Sequence, residues 1–152
     1  MLTEKELKNY LAFQKLGTLG LDSTDYVIFG SGTMFALEIR PLDDLDDLDI
    51  LVKSEVFEKL KSRGELKKSA FGDPVIRFED GLIEVFANWQ PNPHIYTFEN
   101  LHKNSFKIGN YTFANIEDVL RWKKDKLHIK MIEEYLRHYE HLNRYHNREL
   151  KH

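Results

Sequence analysis

The sequence contains no cysteine, which excludes a disulfide framework and any thiolate metal site. A cytoplasmic location is the expectation for such a chain. No apolar run approaches the roughly 20 residues that a membrane-spanning helix needs, so no membrane partner is expected. The opening residues, MLTEKELKNYLAF, carry acids and read as an amphipathic helix, not as a signal peptide. The formal net charge is −3, which leaves no broadly basic surface for nucleic acid. Internal repeats, low-complexity tracts and a recognisable linker are also missing. The 152 residues therefore read as one domain, 1–152, in which 115–152 form a helical C-terminal part.

Ten Phe, seven Tyr and two Trp supply ample apolar surface for a core. The spacing predicts one helix over 3–16, with Thr3 and Glu6 as a capping box, Leu7, Tyr10 and Leu11 on one face, and Gly17 as its stop. Tyr26-Val-Ile-Phe29 has the composition of a buried strand. Gly30-Ser31-Gly32 is a turn that opens a short helix over about 32–38, which ends before Pro41. A second strand is expected over about 48–53, then a helix with Ser54 as N-cap, Phe57 and Leu60 inward and Gly64 after its end. Val75–Phe78 and Leu82–Phe86 flank Glu79-Asp80-Gly81, a strong hairpin signal. Pro91 and Pro93 mark an irregular crossing. Gly109-Asn110 joins a second hairpin, 106–108 with 111–113. Asn115 and Asp118 cap a helix bearing Val119, Leu120 and Trp122, and a longer helix follows with the stripe Ile129, Ile132, Leu136 and Tyr139. The fold class expected is α/β (α+β): a mixed sheet flanked by helices.

Residues 43–49 hold five aspartates in seven positions, and the last two run directly into Ile50-Leu51-Val52. So many like charges beside an apolar strand are unfavourable unless water or a cation compensates them. The glycine turn is not a P-loop, because no Gly-Lys-Ser/Thr follows. As a dinucleotide fingerprint it has Phe35 at the third glycine position, and its acids precede their strand instead of following it. An EF-hand fails on acid spacing and on the missing central glycine. Asp47 and Asp49 are two apart, so in a strand both carboxylates point to one face. Paired carboxylates suit Mg²⁺, with Mn²⁺ as a substitute, and Glu84 is the candidate third acid. Asp43, Asp44 and Asp46 fit a solvated acidic loop equally well, and a wet strand face would also accommodate Glu84.

Taken together, a strand, Gly30-Ser31, a helix and then Asp47-x-Asp49 ahead of an apolar run resemble the nucleotidyltransferase superfamily of the DNA polymerase β type. Within it the chain is most similar to the small nucleotidyltransferase-like proteins, including the minimal nucleotidyltransferases. Ile83-Glu84-Val85 resembles the strand of the third acid, and Ile116–Lys123 and Lys124–Ile132 resemble the C-terminal helices. The resemblance implies a Mg²⁺-dependent (or Mn²⁺-dependent) transfer from a nucleoside triphosphate to an acceptor: a small molecule, a protein side chain or an RNA end. It implies Asp47, Asp49 and Glu84 as metal ligands and catalytic acids, with Glu84 alternatively a base. It implies Gly30, Ser31 and Arg40 as nucleotide-binding residues, and Arg40 would equally serve as a surface partner of Asp43 or Asp44. A non-catalytic member of the same fold, binding nucleotide or protein as an antitoxin-like or regulatory module, is the alternative.

Three features depart from the pattern. Glu38 stands where similar chains have glycine. The interval from Ser31 to Asp47 is long, as if Asp-Asp-Leu had been duplicated, and Asp44/Asp46 offers a second Asp-x-Asp. No arginine stands just ahead of Lys124-Asp125, a pair that reads either as structural or as reaching the nucleotide. His138, His141 and His146 are set among arginines and tyrosines; His138 and His141, three apart, could share a helix face and bind a transition metal, but no third ligand stands at useful spacing. They suit an RNA contact or a helix end that packs on a protein partner.

Overall fold

The computed structural model describes residues 1–39 and 47–150. These fall into two compact units, Met1–Val119 and Leu120–His152. The first is α+β. Its elements are α1 (Glu4–Leu7), α2 (Leu11–Thr18), β1 (Tyr26–Phe29), α3 (Ser31–Ala36), β2 (Leu48–Val52), α4 (Ser54–Leu60), β3 (Glu65–Lys68), β4 (Pro74–Phe78), β5 (Ile83–Phe86), α5 (Phe98–Lys103), β6 (Phe106–Ile108) and β7 (Tyr111–Phe113). Helix α6 (Ile116–Leu150) begins in it and makes up the described part of the second unit. No described helix is long and apolar enough to cross a membrane.

The strands form one mixed sheet in the order β3-β4-β5-β2-β1-β7-β6. β1 is antiparallel to β2 and parallel to β7, and β2 is parallel to β5. All four residues of β1 are buried, as expected of a central strand covered on both faces. The period-2 alternation sorts the sheet into two faces. Tyr26, Ile28, Leu48, Ile50, Val52, Ile83 and Val85 join the main core with Leu7, Phe13 and Leu16 of the N-terminal helices, Phe35 of α3 and Phe57 and Leu60 of α4. The opposite face holds Phe29, Asp49, Glu84 and Arg77.

Helix α3 sits close on the sheet because its second residue is glycine. A Cβ at Gly32 would collide with Ile28 Cγ2 and lie 3.1 Å from Leu48 Cδ2. Thr33 is fully buried and donates to the Ala114 carbonyl at 2.9 Å, so its hydroxyl is satisfied where it would otherwise be costly. The helix ends with Glu38 N–H bonded to Phe35 O at 3.0 Å and Ile39 N–H to Met34 O at 2.9 Å, the paired bonds of a Schellman cap. Glu38 has φ 60, the left-handed value for which glycine is preferred. The residue that departs from the resemblance thus adopts the glycine backbone conformation, and its carboxylate pairs with the Met1 amine at 2.8 Å.

Several local expectations need correction. The single helix over 3–16 is two, because tight bonds from Asn9 N–H to Glu6 O and Tyr10 N–H to Leu7 O close α1, and Tyr10 is extended. The break turns Phe13 and Leu16 inward and leaves Leu11 exposed. Gly17 lies inside α2, and the left-handed turn falls at Gly20 (φ 68). Lys53, not Ser54, is the N-cap of α4. The two C-terminal helices are one, while the Asn115 cap stands, with Asp118 N–H bonded to Asn115 Oδ1 at 2.7 Å. β3 and α5 were not expected from the sequence.

The close contact of α3 makes a test. Gly32→Ala is expected to lower stability by about 1–3 kcal/mol through overpacking. Gly17→Ala meets nothing within 4 Å and should raise stability, by up to about 1 kcal/mol, through helix propensity. Urea unfolding of the two variants beside wild type measures both, and an unperturbed Gly32→Ala protein would contradict the packing described.

Candidate metal centre

One row of residues crosses the sheet. The registers set Phe29 of β1 beside Asp49 of β2, Asp49 beside Glu84 of β5, and Glu84 beside Arg77 of β4. Residues level on neighbouring strands share a face. Asp47, two residues before Asp49, projects on that same side, and Leu82 O accepts from Leu48 N–H at 2.8 Å, pinning the start of β2 to that of β5. Asp47, Asp49 and Glu84 each offer a carboxylate oxygen, and these lie within 4.8 Å of one another, all three side chains half-buried. Beside them Trp89 packs edge-on against both Phe29 and Phe86, with ring centroids 4.9 and 4.8 Å apart. The triad therefore has an aromatic wall on one side.

On the other side is an open cleft of about 530 Å³, lined by Asp47, Glu84, Arg77 and residues 79–82. Arg77 Nη2 donates to the Asp80 carbonyl at 3.2 Å. Gly81 (φ 94) leaves room for this, since a Cβ there would collide with the guanidinium. Sequence reading passed over Arg77. The signal was available, because counting outward from Asp80-Gly81 through the hairpin sets residue 77 level with 84.

Electrostatics mark Glu84 as the strained member. Burial pushes its carboxyl above the ordinary 4.5, the Asp47 carboxylate pushes it further, the Arg77 guanidinium opposes both, and a hydrogen bond with Asp47 raises it again. Three oxygen donors converging in this way fit a hard divalent cation such as Mg²⁺ or Mn²⁺. Such an ion would relieve the like-charge repulsion that Glu84 records.

The glycine turn shares this edge of the sheet. β1 ends where antiparallel β2 begins, so Gly30 (φ 69) and Ser31, the first residue of α3, follow directly on the residue level with Asp49. Arg40 and the alternative pair Asp44/Asp46 lie outside the described residues. His138 is exposed on α6; Lys124 and Asp125 belong to the second unit.

The Glu84 shift has a pH signature. The folded chain holds the Glu84 proton more tightly than the unfolded chain, so without divalent cation the contribution of Glu84 to stability falls as pH rises from 4.5 through the raised value. Glu84→Gln removes that dependence, and Arg77→Met extends it to higher pH. Urea midpoints in chelator across pH 4 to 8 are expected to show the Glu84→Gln protein gaining on wild type as pH rises; parallel curves would contradict the assignment. No family model matches this chain, and neither a curated protein nor a solved structure does.

Proposed function

We propose that the chain is a Mg²⁺-dependent nucleotidyltransferase, transferring a nucleotidyl group from a nucleoside triphosphate to an acceptor hydroxyl. One observation carries this reading: the carboxylates of Asp47, just before β2, of Asp49 in β2 and of Glu84 in the parallel β5 converge within 4.8 Å at the end of β2 that lies level with the glycine turn opening α3. Asp47, Asp49 and Glu84 would hold the cation. Bound there, Mg²⁺ supplies neutralising charge for the phosphates and for the departing pyrophosphate. The Gly30-Ser31 turn offers backbone N–H groups and a hydroxyl to the phosphate oxygens. The acceptor oxygen forms its bond to the α-phosphorus as the bond to pyrophosphate breaks. Glu84 completes the cation site or, as the alternative, serves as the base that takes the hydroxyl proton. The cleft beside Arg77 gives the acceptor its approach.

The test compares wild type with Asp47→Ala/Asp49→Ala in a thermal-shift screen of the four common ribonucleoside triphosphates with Mg²⁺ or Mn²⁺. A ligand at a hundred times its Kd adds about 2.7 kcal/mol, so wild type is expected to gain several degrees with one or more triphosphates and the double variant none. Equal stabilisation of both proteins would sink the metal assignment. Nucleotide binding through the triad without pyrophosphate release, across acceptors of all three classes, would instead favour the non-catalytic alternative.

A further inference from the structure

Among the described residues lining the cleft beside the triad, Arg77 is the one cationic side chain. Its surroundings hold the guanidinium there. Arg77 Nη2 donates to the Asp80 carbonyl at 3.2 Å, and Gly81 leaves the space that a Cβ would fill. The turn that supplies this carbonyl has three left-handed residues in succession, Glu79 (φ 51), Asp80 (φ 56) and Gly81 (φ 94). That conformation is costly at the two positions that carry side chains. An arginine has five N–H donors, and the Asp80 carbonyl is its one hydrogen-bond acceptor among the described residues. The remaining donors are available at the cleft.

The place of Arg77 in the sheet indicates which reactant it meets. The strand order β4-β5-β2-β1 sets it three strands, about 14 Å, from the strand that ends in the glycine turn. Glu84 and Asp49 stand level between the two. The nucleotidyl transfer proposed above, on which this inference rests, puts the triphosphate at Gly30-Ser31 and its α-phosphorus at the triad. Displacement at phosphorus is in line, so the attacking oxygen enters opposite the departing pyrophosphate. Pyrophosphate on the β1 side leaves the β4 side, where Arg77 stands, to the acceptor.

We infer that Arg77 is a specificity-determining residue that binds an anionic group, a phosphate or a carboxylate, on a small hydroxyl acceptor. A guanidinium matches either oxyanion with paired N–H bonds. Level cross-strand neighbours have Cβ atoms about 5 Å apart, so a hydroxyl beside Glu84 and an anion on Arg77 are separated by only a few bonds of one molecule. The cleft, about 530 Å³, has the volume of a small-molecule site. Glu79 and Asp80 are exposed along it and repel a polyanion such as an RNA end, whereas a single anionic group has its own arginine.

Glycerol 3-phosphate and glycerate are the probes, with glycerol as the uncharged control. Each is titrated by calorimetry into the full chain with saturating Mg²⁺ and each of the four α,β-methylene ribonucleoside triphosphates. Wild type is expected to bind one or both anionic probes at least tenfold more tightly than glycerol, and their ranking tells phosphate from carboxylate. Arg77→Met is expected to lose at least tenfold in that affinity and Arg77→Lys to recover part of it. Both variants are expected to keep the thermal stabilisation that triphosphate and Mg²⁺ give wild type. Anionic probes that bind wild type no better than glycerol, or bind Arg77→Met as well as wild type, would overturn the assignment while leaving the nucleotide site intact. Loss of triphosphate stabilisation in both variants would overturn it too, by moving Arg77 to the nucleotide. A wild type that no triphosphate stabilises would instead remove the nucleotidyltransferase reading, and the acceptor site with it. The contrast among probes on wild type needs no variant to fold.

Discussion

The antiparallel pairing of β1 with β2 is the constraint from which the site follows. Had the two strands run parallel, the glycine turn after Phe29 and the acids before Ile50 would lie at opposite ends of the sheet. Antiparallel pairing brings Gly30 and Asp49 to one edge, with Phe29 and Asp49 level. The parallel pairing of β2 with β5 then brings a third acid, Glu84, level with Asp49. A mixed sheet is thus needed to gather one turn and three carboxylates from segments far apart in sequence. A one-residue slip of β5 against β2 would point Glu84 into the helix-covered face and undo it.

Gathering acids on a central strand has a cost that the surroundings limit. Leu48, Ile50 and Val52 face the main core, so β2 keeps its apolar contribution on one side while the acids occupy the other. Arg77 supplies the one positive charge among the row's neighbours on β4, and the Asp80 carbonyl holds its guanidinium in the cleft. At Glu84 burial is the largest influence on the carboxyl. Arg77 offsets part of the effect of burial and of Asp47 on Glu84, and the half-buried Glu84 carboxyl lines a cleft open to solvent.

Much of this was legible in the residues, for identifiable reasons. Asp80-Gly81 and Gly109-Asn110 announced both hairpins because such dipeptides adopt the left-handed backbone a tight turn demands; Gly81 and Gly109 have φ 94 and 59. The alternation of Leu48-Asp49-Ile50 fixed which side the acids take. Edge strand β3 escaped notice because all four of its residues are exposed, leaving no apolar alternation to read. Helix α5 was hidden behind Pro91 and Pro93, although Thr97 accepting from Asn100 N–H at 3.1 Å is a capping signal visible in sequence. The break between α1 and α2 was not legible, because it serves the tertiary contact of Phe13 with Phe35 and Tyr111, which local periodicity does not encode. The choice between Asp44/Asp46 and Asp47/Asp49 was ambiguous for a different reason: a repeated Asp-Asp-Leu offers two identical registers, and only adjacency to the strand separates them.

Glu38 holds a left-handed backbone conformation (φ 60) that glycine adopts more cheaply. A non-glycine residue in the left-handed region costs about 1–2 kcal/mol. Both Schellman bonds at the end of α3 are nonetheless formed, Leu2 N–H bonds the Ala36 carbonyl at 2.8 Å, and the Glu38 carboxylate has a cationic partner in Met1. The backbone bonds therefore determine the direction in which the chain leaves α3, and the side chain is accommodated afterwards. The Glu38 side chain therefore adds its own conformational cost at the helix exit, while the exit's direction rests on the backbone bonds.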